Sequence, residues 1–181
     1  RPPRSTLFPY TTLFRSQSLL SEFEHEVTNT RKLLKAVPGK DLGYKPSPVS
    51  WTMGELAQHI ATIYHWYKGS LTQDVYDMAA DRLERGAPDD IAATLDLFEK
   101  KVEEARAALK TLTEENLQTP WTMKIGDRTV LGPLPRGVVT RSFLFNHIYH
   151  HRGELIVYLR ATGNRVPGLY GPTYEESAGL K

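Results

Sequence analysis

The run HIYHH, residues 147–151, carries three of the chain's six histidines. His147 and His151 are four apart, a spacing that on a helix puts both imidazoles on one face, about one turn apart. Two ring nitrogens placed so can converge on one divalent ion. His147 and His150, three apart, are also helical neighbours, and the spacing alone does not choose between the pairs. The chain has no cysteine. That excludes disulfides, thiolate ligands and a cysteine nucleophile, so a metal would have to sit on imidazole, carboxylate or water.

The element that must carry these residues is a helix expected over residues 135–161, with Pro135 in its first turn and Gly163 as its C-terminal cap. About 27 residues at ~1.5 Å each give roughly 40 Å, enough to cross a whole bundle. Leu144, Ile148, Leu155 and Tyr158 form its inward stripe, which His147 and His151 interrupt. A lone histidine there is ordinarily a hydrogen-bonded core residue. Two polar rings without partners cost more to bury, so a shared ion stands beside a chance spacing as a reading of this pair. His150 points further round and is expected at the rim.

Three more helices are expected. The first covers residues 18–36, with Leu20, Phe23, Val27 and Leu34 on one face and Pro38-Gly39 as its stop. The second runs without interruption through WTMGELAQHIATIYHWYKGSL. It opens on a capping box of Thr52 and Glu55 and buries Met53, Leu56, Ile60, Ile63 and Tyr67. A short extra helix is expected over residues 75–83. The third long helix starts near Pro88, with Asp89 and Asp90 at its positive end, and buries Ile91, Leu95, Phe98, Val102, Ala105, Leu109 and Leu112. Residues 113–134 form a longer connection, with a turn at Gly126-Asp127 between two extended pieces. The tail turns at Pro167-Gly168 and is loop-like. The sum is an all-α, up-down four-helix bundle with a longer crossover containing short extended segments.

His59 lies three residues after Leu56 and four before Ile63, at the edge of the second helix's stripe. It can face the interior. Standing alone it would read as a satisfied core histidine. His65 falls on another face and is expected in solvent. His25, in EFEHE, belongs to a solvated face from which Glu24 could reach inward. Arg152 is expected to pair with Glu55 or another acid, and Gly153 to allow a close helix contact. Trp51, Trp66 and Tyr67 are expected in the core or at a dimer contact.

With 181 residues, 40% hydrophobic and 24% charged, the chain has the size and balance of a single soluble domain. No run reaches membrane-spanning length, and no signal-peptide pattern is present. The expected setting is cytoplasmic, without a membrane partner. Residues 1–16, RPPRSTLFPYTTLFRS, show no periodicity and read as an adapter-derived or disordered basic segment, which leaves one domain over residues 17–181. That segment carries Arg1, Arg4 and Arg15 and no acid, so leaving it out takes the net charge from +2 to −1. The remaining charge gives no support to nucleic-acid binding. No Walker loop, G-x-S-x-G or H-E-x-x-H is present.

WTMGELAQHIA, HIYHHRGELIVYLRATG and VPGLYGPTYEE, in that order, resemble the DinB/YfiT-like family of metalloenzymes over residues 17–176. The resemblance implies a metal held by a histidine of the second helix and both histidines of an HxxxH motif on the last. Here these are His59, His147 and His151. One departure is Glu154, where the family often has Gln. Three imidazoles leave coordination positions open for water or substrate, and zinc, nickel or iron would suit them. The resemblance further implies a small-molecule substrate and a homodimer. Its leading functional expectation is a thiol S-transferase that conjugates a low-molecular-weight thiol to an electrophile. The alternatives are a metal-dependent hydrolase using water and a non-catalytic metal-binding stress protein.

Overall fold

The computed structural model describes residues 16–83 and 86–178. Of the segment 1–16, only Ser16 is therefore described, and it opens the first helix; the expectation for the rest lies outside the described residues. Helix α1 (Ser16–Lys35) buries Leu19, Phe23, Val27, Leu33 and Leu34. Helix α2 (Met53–Ile63) opens on the expected capping box: Thr52 Oγ1 accepts from the Glu55 N–H at 3.0 Å, and Glu55 Oε2 accepts from the Thr52 N–H at 2.7 Å.

The expected single second helix is two. It breaks at Tyr64 and resumes as α3 (His65–Thr72). The Thr62 hydroxyl donates to the His59 carbonyl at 2.9 Å, a local bond that competes with the helical ladder. Tyr64 is fully buried, with its hydroxyl 2.9 Å from Thr30 Oγ1.

The extra helix expected over residues 75–83 is absent. Val75–Asp77 is instead strand β1, paired in parallel with β2 (Pro120–Ile125) in the register Val75↔Thr122 and Tyr76↔Met123. Val75 and Tyr76 suit a pleated surface, and a strand partner distant in sequence decides the matter. Strand β3 (Arg128–Pro135) returns antiparallel to β2. Gly126 makes the turn between them at φ +60°, which favours a residue without Cβ. These strands are the extended pieces expected in the crossover.

Helix α4 (Ile91–Lys110) starts where Asp90 Oδ1 accepts from the Ala93 N–H at 2.7 Å. It packs on α1, α2 and α3. The last bundle helix is continuous but mixed: α5 (Arg136–Val139), a π-helical stretch (Thr140–Phe145) and α6 (Asn146–Ala161). Helix α6 packs on α2 and α1, and its expected stripe of Leu144, Ile148, Leu155 and Tyr158 is buried. The tail is not all loop: α7 (Tyr174–Ala178) follows a second capping box, between Thr173 and Glu176. The fold is the four-helix bundle expected, with a three-stranded sheet formed by the two crossover strands and β1, which lies between α3 and α4 in the chain.

Arg136 ties the crossover to the bundle. It is buried, and its guanidinium donates to the carbonyls of Ser70 and Gln73 and to Asp74 Oδ1, each at 2.9 Å. It thereby satisfies acceptors at the C-terminal end of α3 that have no helical donor. Arg136→Met would leave the buried Ser70 carbonyl without its donor, while exposed Gln73 and Asp74 turn to water. The expected loss is about 1–3 kcal/mol of unfolding free energy, read as a lower urea midpoint at unchanged m-value.

Candidate metal centre

The capping box fixes where α2 begins, and one face of α2 packs on α6. His59 lies on that face. His147 and His151 occupy the start of α6, directly after the π-helical stretch. A π turn inserts a residue relative to the α repeat, re-phases the residues that follow, and is frequent beside functional sites.

The three side chains meet. His59 Nε2 lies 3.2 Å from His147 Nε2, and His147 Nε2 lies 2.9 Å from His151 Nε2. The cluster could hold a metal ion through one nitrogen from each. His151 is buried, and the other two are partly so. Two indoles flank the group. Trp66 stacks on His147 at 5.3 Å between ring centroids. Trp51 meets His59 edge-on at 4.7 Å and lies tilted over His151 at 5.6 Å.

The contact distances pose a problem in valence. A neutral imidazole nitrogen presents either one N–H or one lone pair in the ring plane. His147 Nε2 faces two ring nitrogens and can satisfy only one of them by hydrogen bonding. A cation shared by three lone pairs removes the conflict. Two ligands on one zinc-sized ion at ~2.0–2.1 Å stand about 3.0–3.4 Å apart, close to the separations here. The donor set thus fits a divalent metal.

Electrostatics favour the form that binds. Burial, reinforced by the neighbouring imidazoles of His151 and His150, pushes His147 down from 6.5 to about 4. Burial also lowers His151, against an opposing pull from Glu154. That carboxylate accepts from His151 Nδ1 at 2.6 Å, which leaves Nε2 as the bare nitrogen facing the site. Carboxylate-held imidazoles of this kind are oriented and made more basic as ligands.

The His150 side chain is 64% exposed, at the rim as expected, 3.5 Å from Glu154. His65 does not face solvent freely: its Nε2 bonds to buried Asp81 at 2.7 Å, and Asp81 also accepts from the Tyr76 hydroxyl at 2.5 Å. Burial would raise Asp81, but the bonds from Tyr76 and His65 hold it below its ordinary value. Arg152 pairs with buried Glu26 rather than Glu55. Glu24 pairs with Arg106 at 2.6 Å and does not reach the site. A Cβ on Gly153 would meet nothing within 4 Å, so no close helix contact calls for glycine there.

Of the three aromatic residues assigned to core or dimer contacts, Tyr67 is core. Trp66 is also core, and its inner edge borders a cavity; Trp51, half exposed, is not core and lines the same cavity with His59. Reasoning from sequence missed Asp81 and the role of Trp51. It noted Glu154 only as a departure, although its spacing from His151 at i, i+3 was a usable signal.

The DinB family model matches residues 10–181. YrdA of Bacillus subtilis is 31% identical over 162 residues, covering 88% of this chain and 90% of its own. A DinB-like protein of Bacillus cereus superposes with a TM-score of 0.65 at 25% identity, over 85% of this chain and 97% of that one. YfiT of Bacillus subtilis, described as a probable metal-dependent hydrolase with an unusual four-helix bundle topology, gives 0.58 at 17% identity over 90% and 94% of the two chains. That last likeness concerns the fold.

A pH dependence follows for the metal-free chain. The unfolded chain takes up the His147 proton near 6.5, and the folded chain takes it up only near 4. Stability from this residue is therefore present above about pH 6.5 and is lost as the pH falls towards about 4. Thermal midpoints of chelator-treated protein are expected to drop across that window. Saturating zinc should resist the drop, because protons and metal compete for the same nitrogen. A metal-free midpoint that stays flat from pH 6.5 to 4 would contradict the assignment.

Proposed function

The chain belongs to the DinB family, and we propose that it is a divalent-metal enzyme whose ion is held by His59, His147 and His151 and whose substrate is a small molecule. The observation that carries this reading is the convergence of three Nε2 atoms, each 2.9–3.2 Å from a neighbour. When bound, the ion supplies Lewis acidity, favouring the anionic form of a nucleophile and drawing charge from a carbonyl or similar group.

The chain's own residues do the rest. Glu154 keeps the proton of His151 on Nδ1 and the ring in one orientation. Trp51, Trp66 and Met78 border the cavity beside His59 and limit water there. Glu55, on the same wall, accepts from the Thr52 backbone N–H and is held below the usual carboxylate range. It stays ionised at neutral pH.

Two nucleophiles suit such a centre, water and a low-molecular-weight thiol. The described lining favours water. Among the described residues its one carboxylate is Glu55, whose negative charge opposes an anionic cosubstrate and does not oppose neutral water. Hydrolysis of a small substrate is therefore the first reading. Thiol transfer is the second, kept because a chain without cysteine would need its thiol supplied as a cosubstrate.

Purified chain, stripped and re-exposed to zinc, nickel or iron(II), is expected to bind one equivalent. His59→Ala, His147→Ala and His151→Ala should each weaken uptake by about 100-fold or more. Glu154→Gln should weaken it by about tenfold, and His150→Ala by no more than about twofold. Protein that takes up none of the three metals would sink the reading. A loaded enzyme that consumes electrophiles only when a thiol is added would replace hydrolysis with transfer.

A further inference from the structure

Beside the triad lies a cavity of about 330 Å³, at the small end of the ~300–1,000 Å³ typical of ligand pockets. Among the described residues its walls are mainly aromatic and apolar, Trp51, Trp66, Met78 and Leu83, with Glu55, Gln58, His59 and Thr62 as polar members. Trp51 stays 46% exposed, a large indole at the mouth that the fold leaves half bare. Its ring is not idle surface, since it meets His59 edge-on and lies tilted over His151. A molecule seated against Trp51 would lie directly beside the triad.

The polar groups narrow the occupant. The Thr94 hydroxyl donates to Gln58 Oε1 at 3.0 Å. That bond orients the amide and leaves its N–H groups as the donors the cavity can use. Glu55 gives the wall a negative charge. An occupant suited to these groups has a flat apolar body for the indoles, an acceptor for Gln58, and a charge that is zero or positive.

We propose that this cavity is the specificity pocket of the enzyme, and that it takes an uncharged or cationic aromatic group carrying a hydrogen-bond acceptor or an ammonium group. The assignment rests on the metal-enzyme reading for its chemistry, but binding by the pocket itself does not need the ion. Trp51 supplies the platform, Gln58 the donor, and Glu55 the discrimination against anions.

The test uses the full chain, metal-free and zinc-loaded, with benzamide, benzylammonium and benzoate as probes. Tryptophan fluorescence and calorimetry are the readouts. In metal-free protein, benzamide and benzylammonium are expected to bind saturably, with benzoate at least tenfold weaker. Glu55→Gln keeps the capping box and should narrow the gap between benzylammonium and benzoate several-fold. Trp51→Ala should weaken benzamide about tenfold while leaving zinc content unchanged. Met78→Trp, which fills the cavity, should abolish benzamide binding with zinc content again unchanged. The proposal is overturned if benzoate binds the metal-free protein as tightly as benzamide, or if none of the three probes saturates. Zinc content is measured separately: benzamide binding without zinc uptake would keep the pocket and remove the metal reading. Zinc uptake without probe binding would do the reverse.

Discussion

His147 Nε2 faces two other ring nitrogens, at 2.9 and 3.2 Å, and can hydrogen-bond to only one of them. Everything near the site is arranged around that excess of lone pairs. Burial keeps His147 and His151 neutral, so neither relieves the crowding by picking up a proton at neutral pH. The cluster costs stability unless a cation repays it. Two helices must therefore be held face to face with enough rigidity that the imidazoles cannot swing apart.

The holding is done on the far side of α6. Arg152, the residue after His151, forms a buried ion pair with Glu26 of α1. It also donates to the Glu26 carbonyl at 3.2 Å and to Thr30 Oγ1 at 3.3 Å. The Tyr170 hydroxyl bonds to the same Glu26 carboxylate at 2.6 Å and brings the tail over the pair. Burying such a pair is expensive, and an apolar replacement often stabilises more. What the pair does fix is rotation. Arg152 lies about 100° round the helix from His151, so anchoring its guanidinium to α1 turns His147 and His151 towards α2. On the other wall, Trp66 stacks on both His147 and Phe143, which ties the triad to the π-helical stretch.

Much of this frame was legible in the sequence because it depends on local spacing. The i, i+4 histidines, the stripe from Leu144 to Tyr158, the Thr52–Glu55 box and the turn at Gly126-Asp127 are read within one or two turns of chain. What escaped depends on partners far away. Residues 75–77 form a strand because of Thr122 to Lys124. His65 is inward because β1 and its following turn deliver Tyr76 and Asp81 to it. Trp51 lies just before the capping box and outside any periodic segment, so no pattern could orient it. The choice of His151 over His150 also exceeded the spacing: both are neighbours of His147 on a helix, and what separates them is which face α2 covers.

The Glu154 carboxylate shows how the residue behind a ligand ring alters a site's balance. An amide at that position could accept the same Nδ1 proton without adding charge. A carboxylate adds a formal negative charge next to the ligand ring, and it raises His151 against the pull of burial. With neutral histidines, a divalent ion would leave the site at plus two; Glu154 offsets half of that from behind the ring. The ion is then better held, and its hold on an anionic ligand is correspondingly weaker. Glu55 biases the cavity wall in the same direction. Were a divalent ion held by the three histidines, both carboxylates would favour neutral or cationic molecules beside it over anionic ones.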